Sequence, residues 1–197
     1  MQAGATIVND VSGGSEDRGM LPLVAQLGVG YIAMHRVLPP DKDSYSDAYT
    51  VAPIELDVTS VVLGWMRRTL ETCEDAGIAP DRIVLDPGLG FGKTVEQNIE
   101  LIRNTPTLCK IGRPVLSGAS RKSFVGRVTL GRDSEPHERG AGTVAFTALH
   151  RSAGASVFRV HDVAPAVEAI KAADALRWND TISWNSQLLR RANRRIR

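Results

Sequence analysis

The chain has 197 residues, 43% of them hydrophobic, and a formal net charge of +2, enough for one domain with a real core. No uncharged apolar stretch approaches the roughly 18 residues of a membrane span, and no basic segment followed by an apolar run opens the chain, so neither a membrane protein nor a secreted one is expected. Cys73 and Cys109 fit no metal spacing and read as idle thiols in a reducing cytoplasm.

The predicted elements alternate strand and helix. Residues 5–8 make an apolar strand ending in Asn9-Asp10, and a short helix over 17–28 carries Leu21, Leu23, Val24 and Leu27 up to Gly28. A second strand over 30–33 ends in Met34-His35-Arg36. Pro39, Pro40, Pro53 and many polar residues make 37–56 a long loop over the rim. Asp57 then caps a helix in which Val58, Val61, Val62, Trp65, Leu70 and Cys73 recur at helical spacing, with Gly77 as the stop. A strand over 82–85 runs into Asp86, a shorter helix covers 95–104, and a fourth strand covers 114–116. The helix over 138–152 is lined by Ala141, Val144, Ala145, Ala148 and Leu149. A fifth strand over 156–158 precedes a helix from Val163 to about Leu176, with Pro165 near its start, where a missing N–H costs least. After Trp178 the pattern decays. Residues 1–178 therefore read as one α/β domain with a parallel sheet, and 179–197 as a basic tail holding Arg190, Arg191, Arg194, Arg195 and Arg197. No aromatic residue interleaves those arginines, so the tail reads as a solvated helix and nucleic acid is not expected as a partner.

Three strands end in polar motifs that carry chemistry: Asp86-Pro-Gly-Leu-Gly-Phe-Gly-Lys93, Ser117-Gly-Ala-Ser-Arg-Lys-Ser123 and Arg159-Val-His-Asp162. A strand closing on a carboxylate, a glycine-rich turn or a cationic pair is how a (β/α) barrel delivers ligand groups to its C-terminal rim. The glycines form neither nucleotide motif. A P-loop needs a glycine where Pro87 stands, and Gly88, Gly90 and Gly92 give G-x-G-x-G rather than G-x-G-x-x-G. Asp86 can accept a pair of N–H donors from a cyclic guanidine edge or simply cap the turn after it. Phe91 reads equally as a wall of the site or as core, and Lys93 as a solvated lysine. Arg121 suits an ion pair. Arg159 and His161, two apart on a strand, point the same way and suit a diphosphate. His137 and His150 show no ligand spacing.

In these motifs, together with Ile7-Val-Asn-Asp-Val-Ser-Gly-Gly14 and Ala33-Met-His-Arg36, the chain resembles the dihydropteroate synthase family, in family order from residue 4 to about 176. The resemblance implies a partial TIM barrel of about five parallel strands, matching the last five of the family's eight. It implies an N-terminally truncated chain, because the motifs of the first three strand–helix units are not found. The implied function belongs to folate biosynthesis: transfer of a pterin-methyl group from 6-hydroxymethyl-7,8-dihydropterin diphosphate to para-aminobenzoate, giving 7,8-dihydropteroate and pyrophosphate. The implied substrate-binding residues are Asn9, Met34, Asp86, Phe91, Lys122, Ser123, Arg159 and His161, with Lys122, Arg159 and His161 as the catalytic set. In this scheme Asn9 and Asp86 hold the ring, Met34 packs on it, Lys122 reaches the pterin and the reacting region, and Ser123 helps hold the aminobenzoate carboxylate. Mg2+ is implied as a cofactor with no ligand identifiable in this chain, as are a cytoplasmic location and a homodimer through the C-terminal helices. Two other readings compete: a non-catalytic pterin-binding remnant, and a corrinoid-type methyltransferase acting on methyltetrahydrofolate.

Overall fold

The computed structural model describes residues 3–39, 42–49, 51–54 and 57–177. Five parallel strands run in chain order: β1 (Ile7–Asp10), β2 (Gly30–Met34), β3 (Ile83–Asp86), β4 (Leu116–Ser117) and β5 (Val157–Phe158). β1 pairs with β2 and β2 with β3, a bridge from Leu85 to Val115 carries the sheet on to β4, and β4 pairs with β5. The helices between them are α1 (Met20–Leu27), α2 (Val58–Asp75), α3 (Val95–Arg103), α4 (Thr105–Cys109), α5 (Ser123–Leu130) and α6 (Gly140–Ala153), with α7 (Val163–Arg177) last. This is an arc of a (β/α) barrel, and all five strands present their C-terminal ends to one rim.

The period-two rule sorts the arc into two faces. Val8, Asp10, Tyr31, Ala33, Ile83 and Leu85 turn outward beneath the helices, where Tyr31, Ala33, Ile83 and Leu85 are fully buried. Val62, Met66 and Cys73 of α2, Leu101 of α3 and Phe124 of α5 complete that core. Each fully buried large apolar side chain contributes roughly 1.5–3 kcal/mol. Asp10 sits at the edge of this layer and fixes the turn after β1. It accepts hydrogen bonds from the Ser12 N–H and hydroxyl, the Gly14 N–H and the Tyr31 hydroxyl. Burial works to raise its pKa, but those bonds outweigh it and the pKa is lowered.

Asp57 does cap α2, accepting the Ser60 N–H at 2.7 Å. Several expectations need correction. β1 begins two residues later than expected, so Asn9 and Asp10 belong to the strand itself. The helix over 95–104 ends at Arg103 and a second short helix, α4, follows at once, with Pro106 in its first turn. The expected apolar lining of α6 is largely misplaced: Ala141, Ala145 and Leu149 are exposed, and the buried face is Gly142, Phe146, Thr147 and His150. Alanine gave false weight to that stripe, while the buried histidine is neutral, with its pKa pushed down to about 4 by burial, and meets Thr105 Oγ1 at 2.8 Å. The long loop contains one turn of 3-10 helix, Ser46–Ala48. The expected tail, 179–197, lies outside the described residues. No described helix is long and apolar enough to cross a membrane.

Candidate functional site

Asn9, Met34 and Asp86 share the inner face of the sheet, because Met34 pairs with Asp86 and Asn9 with Ile32 two residues before Met34. Asp86 is 0% exposed. One carboxylate oxygen accepts the Gly88 N–H at 2.8 Å, and the other accepts Arg159 Nη2 at 2.8 Å. The same guanidinium donates from Nη1 to Asn9 Oδ1 at 2.7 Å. One side chain after β5 thus joins the ends of β1 and β3. Gly118 makes room for it: a Cβ there would lie 2.9 Å from Arg159 Nη2. Burial raises the Asp86 pKa, and the Arg159 cation, the Gly88 N–H and Lys93 oppose the rise. Met34 is buried in register with Asp86.

A second group lines a cleft of about 570 Å³, where Phe91, Lys122 and Ser123 meet Asp43, Tyr45 and Arg121. Lys122 Nζ stands 3.8 Å from the centroid of the Phe91 ring, a cation–π contact that makes Phe91 a wall of the cleft. Burial lowers the Lys122 pKa and Arg159 pushes the same way, while Asp86 and Asp43 pull against them. Ser123 opens α5, but its hydroxyl accepts the Ser46 N–H at 3.1 Å. The 42–49 segment is therefore strapped across the cleft. Asp43 accepts the Gly92 N–H at 3.0 Å, and Asn98 ties both sides, donating to Ser46 Oγ at 3.0 Å and accepting the Gly90 N–H at 2.7 Å.

The third expected grouping separates. β5 stops at Phe158, so Arg159 and His161 do not alternate along a strand. Arg159 keeps a ladder bond to the Ser117 carbonyl at 3.0 Å and turns to Asp86. His161 is exposed and sits over Ser120, its Nδ1 2.9 Å from Ser120 Oγ. Arg121 forms the expected ion pair, with Asp162 at 2.8 Å.

Four residues of this region escaped the sequence reading. Lys93, expected in solvent, is 0% exposed, and burial pushes its pKa down to about 7. Its Nζ donates to the Gly88 and Phe91 carbonyls, each at 2.9 Å. Asn98 lies one helical turn beyond the Thr94 cap, a spacing that could have drawn attention to it. Asp43 and Ser46 gave no signal inside a polar loop. Among the described residues, no group of three or more His, Cys, Asp or Glu is placed to hold a metal ion.

A family model described as pterin binding enzyme matches residues 1–161. The chain is 41% identical over 178 residues to a dihydropteroate synthase of Mycobacterium leprae, covering 89% of this chain and 61% of that protein. A Xanthomonas albilineans dihydropteroate synthase solved in complex with 7,8-dihydropteroate superimposes with a TM-score of 0.77 at 37% identity, covering 90% of this chain and 61% of that one. The same enzyme solved with 4-aminobenzoic acid gives a TM-score of 0.76 at 38% identity, covering 90% and 59%. The chain thus spans about three fifths of the length of these relatives.

Proposed function

The chain belongs to the pterin binding enzyme family, and we propose that it serves folate biosynthesis as a dihydropteroate synthase, a transferase joining 6-hydroxymethyl-7,8-dihydropterin diphosphate to para-aminobenzoate. The arylamine lone pair attacks the methylene carbon, the bond from that carbon to the diphosphate oxygen breaks with its electrons, and the amine gives up a proton. The electron-rich ring stabilises the developing cation, so no protein nucleophile is required. The protein's task is to hold the ring and take up the leaving group's charge. Supporting the reading, related enzymes are solved with the product of this reaction and with its second substrate.

The observation that carries the proposal is the buried Asp86 carboxylate, held by Gly88 and Arg159 at the rim. The Arg159 guanidinium donates two N–H groups to Asp86 and Asn9, the same pattern a pterin edge offers. A bound pterin takes those acceptors once Arg159 withdraws toward the diphosphate, where His161 joins it. Met34 supports the ring from the strand beside Asp86. Phe91, Lys122 and Ser123 line the arylamine's approach. Magnesium would enter with the diphosphate, and the described residues assemble no group of three or more His, Cys, Asp or Glu to hold it on their own. A homodimer through α6 and α7, whose exposed faces include Leu149, Val163 and Val167, and a cytoplasmic location belong to the same proposal.

One observation favours pterin binding without turnover: β1 is an edge strand among the described residues, and Ile7 on the inner face is 55% exposed. Incorporation of labelled para-aminobenzoate by the purified chain, with pterin diphosphate and magnesium, decides between the two. Product formation lost in Asp86→Asn supports synthesis. Saturable pterin binding by folded protein with no product supports binding alone.

A further inference from the structure

Leu89, 1% exposed, anchors the middle of the Asp86–Lys93 loop in the core, but it does not set the path of the glycine backbone on either side. Gly88, Gly90 and Gly92 all have positive φ, so the loop's shape must be imposed by neighbours. From one side, the His35 carbonyl oxygen stands where a Gly88 Cβ would be, 1.7 Å away. From the other, the Lys93 side chain folds back beneath its own loop and donates to the Gly88 and Phe91 carbonyls at 2.9 Å. Each carbonyl belongs to a residue that touches the site. The Gly88 N–H donates to Asp86 at 2.8 Å, and the Phe91 ring carries Lys122 Nζ at 3.8 Å. A buried cation is expensive unless it is paired and hydrogen-bonded. Here Asp86 and Asp43 lie near enough to favour the charge, while burial and Lys122 oppose it. A solvated lysine needs none of this arrangement.

We propose that Lys93 is a positioning residue of the pterin site: its buried side-chain nitrogen clamps the Gly88 and Phe91 carbonyls, and through them fixes both the Asp86 carboxylate and the Phe91–Lys122 wall. Lys93 itself touches no substrate. The proposal deepens the pterin reading and rests on it, but the clamp has a readout that needs no ligand.

The test compares the wild-type chain with Lys93→Met, using Asp86→Asn as the control for the site. Amide hydrogen exchange is followed over segments 84–95, α2 and α6, and 7,8-dihydropteroate binding is titrated in parallel. Loss of the clamp predicts exchange about tenfold faster in 84–95, with α2 and α6 unchanged, and binding about tenfold weaker or worse. Unchanged exchange in that segment, or an equal rise in all three, overturns the clamp. So does wild-type affinity in Lys93→Met alongside lost affinity in Asp86→Asn. A wild-type chain that binds no dihydropteroate removes the pterin reading, and the clamp then stands or falls on the exchange contrast. If Lys93→Met does not fold, Lys93→Gln, which keeps a donor and removes the charge, is read by the same criteria.

Discussion

A buried carboxylate at the end of a strand is worth having only where a ligand or a cation completes it, and Asp86 is such a group, closed by Gly88 and Arg159. Asp86→Asn keeps the shape and removes the charge, so pterin affinity should fall roughly ten- to hundredfold, as read by calorimetric titration. Gly88→Ala attacks the same site through the backbone: φ is +70 and the added Cβ would meet the His35 oxygen. It should destabilise the fold by roughly 2–5 kcal/mol in chemical denaturation. Lys93 gives a pH signature. Its folded pKa of about 7 lies below its ordinary 10.5, so between those values the unfolded chain binds the extra proton and stability rises with pH. The stability of wild type relative to Lys93→Met should therefore climb from about pH 7 toward 10.5, and a flat difference would refute the shift. Residues that end strands in polar motifs were legible in the sequence, because strand alternation places them on the rim. Lys93 and Asn98 were not, because each acts on backbone groups of a loop whose path no local pattern encodes.

At the scale of elements, end signals were read better than faces. Asp57 announces α2 and accepts the Ser60 N–H as a cap should, so Asp57→Ala should cost ~1 kcal/mol in urea unfolding. The face of α6 was misread because alanine and glycine are small enough for either side. The buried side is decided instead by Phe146, which meets Phe124 edge-on at 5.6 Å between ring centroids, and by the neutral His150. β5 lies within the expected 156–158, while β4, expected over 114–116, is Leu116–Ser117; each is only two residues long, which is why Arg159 and His161 part company just beyond β5. α4 was missed altogether, since five residues with Pro106 in the first turn leave no period to detect.

For the whole molecule, five motifs in order were enough to foresee an arc of barrel, because each strand must bring its C-terminal end to the same rim. What the arc leaves open follows from topology rather than from any motif. Among the described residues β1 and β5 each pair on one side only, and Ile7 faces the hollow of the arc. Exposed edges with apolar neighbours drive association. Ile7→Lys should therefore reduce concentration-dependent association in sedimentation velocity while changing stability by less than about 0.5 kcal/mol. On the proposed function, the strand ends together build a pterin site around Asp86. Titrating the purified chain and its Asp86→Asn variant with 6-hydroxymethyl-7,8-dihydropterin diphosphate tests it most directly. Saturable binding by the wild type that weakens at least about tenfold in the variant is the predicted result. Folded wild-type protein that does not bind, or a variant that binds equally well, would contradict the account.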